Sequence, residues 1–137
     1  MADEASLRSQ VSSQEAQKSN CEWEKGVIEE KIRRLREAER LVRADKAVIK
    51  DLRNEVQRKR DPGQDWEGNQ RNRYHDFVDG DFRQDYNAYL AGVDALHDDM
   101  IRKITSLENE ANDLTGLIGF LSRSINSLWG EISALFN

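Results

Sequence analysis

An all-α protein is the fold class this sequence predicts: a long antiparallel two-helix hairpin, coiled-coil-like, that assembles into a helical bundle with partner chains. Three observations predict it. Apolar residues recur three and four apart through both halves of the chain. The single proline, Pro62, falls with glycine, aspartate and asparagine in one short stretch between those halves. Charged residues make up 34% of the chain and apolar residues 37%, which suits exposed helices with narrow seams better than a large enclosed core.

The first helix is expected over residues 1–60. Its stripe runs at seven-residue steps through Leu7, Gln14, Cys21, Ile28, Leu35, Val42, Ile49 and Val56. Val11, Ile32, Ala38 and Leu52 accompany it, with Leu41 and Val48 slightly to one side. Outside the stripe, Glu30 with Arg34, Glu39 with Arg43 and Glu55 with Lys59 are i,i+4 pairs in the favourable order. Gly26 weakens a helix interior by about 1 kcal/mol, so a bend is expected there.

Residues 61–69 read Asp-Pro-Gly-Gln-Asp-Trp-Glu-Gly-Asn and should reverse the chain. Proline cannot continue a helix, and glycine accepts backbone angles that other residues avoid. Trp66 and Gly68 are the candidate turn residues.

The second helix is expected over residues 70–137, with Gly80 marking a hinge between Asp79 and Asp81. Its seam alternates three and four apart from Leu90 through Val93, His97, Met100, Ile104 and Leu107, and onward to the C-terminal region. His97 breaks the apolar run and reads as a half-buried polar layer that fixes register.

In an antiparallel hairpin the polar run 8–20 of the first helix meets the much more apolar residues 114–137. Gln14 and Lys18 look unable to cover such a surface, so a partner chain is expected to do so. The candidate partner-binding residues are therefore the seam positions Leu114, Ile118, Leu121, Ile125, Leu128, Ile132 and Leu135. Leu117, Phe120, Trp129 and Phe136 flank them. Gly116 and Gly119 beside Phe120 would let another backbone approach.

No catalytic, cofactor or metal constellation is expected, and the chain does not read as an enzyme. Cys21 is the only cysteine, so no intramolecular disulfide can form, and its place on the stripe makes it a small core residue. His75 with Asp79 and His97 with Asp94 supply two ligands each, short of a zinc site. Aligning Gly80 with the loop glycine of an EF-hand puts His75 and Phe77 where oxygen ligands belong, so that motif fails. A net charge of −5 argues against nucleic acid, and acidic residues dilute the cluster Arg58-Lys59-Arg60. Residues 114–137 carry Arg123 and Glu131, which argues against a membrane span; one basic residue is also too few for a surface-lying helix. Residues 1–6 lack the basic and apolar segments of a signal peptide.

Trp66-Glu67-Gly68 at the reversal of two long helices resembles the WxG-type, ESAT-like hairpins exported by type VII secretion systems. Trp66-Glu67-Gly68-Asn69 and the aromatic, acidic stretch 74–89 are closer still to the YwqH-like proteins. These are small helical partners encoded beside LXG-domain polymorphic toxins of Gram-positive bacteria. The resemblance implies a non-enzymatic partner or chaperone for the helical N-terminal region of an LXG toxin, with room for a second small helical partner. It also implies a protein that is cytoplasmic before export and leaves with its partner without a cleavable signal peptide. The superfamily's Tyr-x-x-x-Asp/Glu export signal has no match after Tyr89; Phe77 and Asp81 form a degenerate version, placed just after the turn. A cytoplasmic coiled-coil scaffold or homodimer and a membrane-active amphipathic protein are the competing functions.

Overall fold

The computed structural model describes residues 3–59 and 68–137. Within them the chain is helical, without a strand, and folds as an all-α helical hairpin. Helix α1 spans Glu4–Arg58, α2 spans Asn69–Phe77, and α3 spans Arg83–Ala134; a π-helical turn, Val78–Phe82, joins the last two. Asp3 starts α1 as an N-cap, its Oδ1 accepting the Ser6 N–H at 2.7 Å. The helix then runs unbroken through Gly26, where a bend was expected.

Trp66 and most of the expected turn lie outside the described residues. Gly68 lies within them and precedes α2 at φ 75° and ψ −146°, backbone angles that essentially only glycine adopts. Its carbonyl accepts the Asn72 N–H at 3.3 Å, the first turn of α2.

The π turn has a cause in the spacing of the seam. Val78, Phe82, Tyr86 and Leu90 step by four, whereas a straight seam alternates three and four. Four residues of α-helix overshoot a full turn by about 40°, so repeated steps of four would carry the side chains off the partner helix. A wider i→i+5 turn takes up the extra residue. Val78 and Leu90 stay buried as a result. Gly80 therefore does not break the helix, contrary to the expected hinge; the backbone passes through it as part of that wider turn.

Contacts divide the chain into two compact units, Met1–Arg34 with Ile104–Asn137, and Leu35–Lys103. In the first, Leu7 and Val11 of α1 pack with Ile125, Leu128 and Ile132 of α3 as one buried cluster. Cys21, Leu107, Ala111 and Leu121 extend the buried seam.

The second unit has a thinner apolar seam interrupted by polar layers. His97 Nε2 lies 2.8 Å from Glu39 Oε1, and both side chains are largely enclosed, at 12% and 16% exposure. Lys46 pairs with Asp94. The Tyr86 hydroxyl donates to the Ile49 carbonyl at 3.1 Å, and Arg53 Nη1 to Asn87 Oδ1 at 3.2 Å. From Glu39 to Lys46 to Ile49 the α1 partners advance while His97, Asp94 and Tyr86 recede, so the two helices of this seam run antiparallel. Each polar layer matches one specific pair of residues, and a slipped register would strand charges in the seam.

Candidate functional site

Two surfaces stand out, one in each unit, and both consist of apolar side chains left outside the seam. In the first unit the seam itself is closed. Leu121, Ile125, Leu128 and Ile132 are buried within the chain, which corrects the expectation that the polar run of α1 leaves them uncovered. The physical reason is that Leu7 and Val11 supply the apolar contacts, while Gln14 and Lys18 lie half-buried along the same edge. Leu114 and Ile118 are half-buried too. What remains exposed is the flanking set, Leu117, Phe120, Trp129 and Phe136, together with the seam's last member, Leu135.

These flanking residues do not form one patch. Phe120 and Trp129 are nine residues apart on α3, which places them about 180° apart around the helix axis at 100° per residue. Leu117 shares the side of Phe120; Phe136 lies beyond the end of α3, in the C-terminal turn. Phe120 is 59% exposed and Trp129 41%. The Arg8 guanidinium lies 5.7 Å from the Trp129 ring centroid and pairs with Glu4 at 2.7 Å, so one face of the indole is already held. A Cβ added at Gly116 would meet nothing within 4 Å, and at Gly119 only the Arg123 guanidinium at 3.5 Å. Another helix could approach closely at both positions.

In the second unit, Val42, Asp45, Val48 and Ile49 of α1 and Tyr89, Val93 and Leu96 of α3 line an open groove of about 360 Å³. Leu41, Val48, Leu52, Tyr89 and Leu96 are each about half exposed or more. Seven-residue spacing joins Leu41 to Val48 and Tyr89 to Leu96, a second stripe beside the seam on each helix. Sequence reasoning placed Leu41 and Val48 to one side without giving them a role, and missed Tyr89 and Leu96. It also missed Trp23, which at 72% exposure lies on α1 next to Gly26 and Val27.

The remaining candidates are structural in their surroundings. Phe77 is exposed, with its ring centroid 6.0 Å from that of Phe82, and Asp81 is exposed in the π turn; both sit on continuous helical backbone. Cys21 is buried. His97 takes Glu39 as its partner, and His75 Nδ1 lies 3.8 Å from Asp76. Among the described residues no group of three His, Cys, Asp or Glu side chains could hold a metal ion, and no helix is long and apolar enough to cross a membrane.

The hydrogen bond with His97 pulls the Glu39 carboxyl below its ordinary value, against partial burial, with Arg43 helping. Lys46 does the same to Asp94. On the surface, Arg33 draws Glu30 down to about 2.

The family model described as YwqH-like matches residues 4–129. No curated protein matches the chain, and no solved structure does. With nearly its whole length matched, the chain belongs to the YwqH-like family.

Proposed function

We propose that this YwqH-like chain is a non-enzymatic partner, or chaperone, that binds the helical N-terminal region of an LXG-type toxin for type VII secretion. The observation that carries the reading is the exposure of Phe120 and Trp129 on a helix whose own seam α1 has already closed. Aromatic side chains of this size dominate interface energetics when a partner covers them. With the seam occupied, partner helices would add at its two flanks and build a bundle around the hairpin. Binding would stabilise both chains by mass action and keep the toxin's amphipathic helices covered until export. A common origin with the WxG and ESAT-like exported hairpins, and a turn-forming role for Trp66, belong to the same proposal.

Co-purification of the full chain with a toxin's LXG region tests it. Phe120→Asp and Trp129→Asp should each weaken the complex by on the order of thirtyfold, the scale of a lost interface hot spot. Helix content by circular dichroism should hold, since neither side chain is enclosed. Leu121→Asp is a different experiment: at 4% exposure it would disrupt the chain's own seam along with any binding. Unchanged affinity in both surface variants would remove the flanks from the interface. Self-association without affinity for the LXG region would favour the scaffold reading.

A further inference from the structure

We infer that the groove of the second unit is a docking site of its own, shaped for an amphipathic α-helix that carries a lysine or arginine within its apolar stripe. This docking site stands apart from the surface at Phe120 and Trp129 and does not require the partner to be a toxin. Six of the seven lining residues are Val, Ile, Leu or Tyr, and the seventh is Asp45. Among the described residues Asp45 makes no ion pair or hydrogen bond, although the very next residue, Lys46, is paired with Asp94 across the seam. The chain has thus supplied a counter-charge for the carboxylate inside its seam and none for the carboxylate in the groove.

That asymmetry selects the occupant. A purely apolar helix laid into the groove would draw the exposed Asp45 carboxylate away from water without offering it a partner, which disfavours that occupant. A second copy of this chain docked groove to groove would enclose two such carboxylates, because no basic residue lines the groove. A helix with a cation facing Asp45 turns the same carboxylate into a charge-assisted hydrogen-bond acceptor. From Leu41 to Leu52 the α1 rim spans about three helical turns, enough to seat apolar residues at i, i+3 or i+4, and i+7. The exposed Tyr89 hydroxyl, with no hydrogen bond among the described residues, offers the second polar contact on the opposite wall.

The test uses the full chain and two synthetic helix-forming peptides of about 21 residues, on the order of 30 Å long. Both carry one leucine stripe and differ only at one central position within that stripe, lysine in the first peptide and glutamate in the second. Isotope-labelled protein titrated with the lysine peptide should show amide shifts concentrated at residues 41–52 and 89–96. The glutamate peptide should bind at least about tenfold more weakly, the scale of one charge contact. Asp45→Lys should reverse the preference, and Tyr89→Ala should weaken the lysine peptide while leaving the order of the two unchanged. Equal affinity for both peptides, shifts confined to other residues, or no binding at millimolar peptide would overturn the proposal. So would a dimer in sedimentation that Val48→Asp dissolves, since a second copy would then own the groove.

Discussion

Glu39 and His97 illustrate how a single pair can decide which register a thin seam adopts. The pair is enclosed, in contact at 2.8 Å, and replaces what would otherwise be an apolar layer. Glu39 has its folded pKa depressed from an ordinary value of 4.5, and Asp94 from 3.8. Groups of this sign add stability that is present above the unfolded value and lost as pH falls through the folded one. Stability of the second unit should therefore begin to fall as pH drops past about 4, where these two carboxylates take up protons in the unfolded chain while the folded pairs still hold them ionised. Glu39→Gln should flatten that acid limb, measured as denaturant midpoint against pH. Glu30→Gln should leave it nearly unchanged although Glu30 is drawn to about 2, because Glu30 is 45% exposed and water screens the pair with Arg33. His97 was legible as a polar break in the heptad; its partner was not. Glu39 sits on α1 among other i,i+4 glutamates, and only the pairing of the two helices singles it out.

At the scale of elements, the two glycines that flank the start of the second helical stretch separate by backbone geometry. Gly68 holds φ 75° with ψ −146°, where a Cβ is strained even though nothing crowds it. Gly80 lies in helical backbone with open space beside it. Gly68→Ala should lower stability by roughly 1 kcal/mol or more, while Gly80→Ala should raise it by about 0.5–1 kcal/mol. Thermal unfolding of the two variants, expected to shift in opposite directions, checks the contrast. The long α3 seam was readable because an apolar residue falls at almost every third or fourth place. The π turn was harder to read: its signal, Val78 to Leu90 in steps of four, lies beneath a glycine and two aspartates that look like a break. Closure of the first unit's seam was missed for a related reason. Composition made residues 8–20 look polar, yet Leu7 and Val11 sit where they meet Ile125, Leu128 and Ile132. The flanking residues Phe120 and Trp129 were named from the sequence as lying beside or opposite the seam, and the 100° helical step puts them on two sides.

For the molecule as a whole, the proposed export role turns on which residues the secretion machinery would read. Phe77 and Asp81 keep the Phe-x-x-x-Asp spacing, and both are exposed. Their setting suits a structural role: Phe77 is the first of three successive rings, 6.0 Å from Phe82, which in turn lies 5.2 Å from Tyr86. That cluster packs beside the π turn that keeps Val78 buried. If this chain travels as a passenger, tied through Phe120 and Trp129 to a partner bearing the signal, Phe77→Ala with Asp81→Ala should leave its export intact. Phe120→Asp with Trp129→Asp should abolish export together with partner binding. The measurement is the protein's level in culture supernatant with the partner co-expressed and cytoplasmic levels matched. Loss of export in the Phe77 and Asp81 variant, with the complex still forming, would move the signal onto this chain. Export of the Phe120 and Trp129 variant without a bound partner would show that it travels alone.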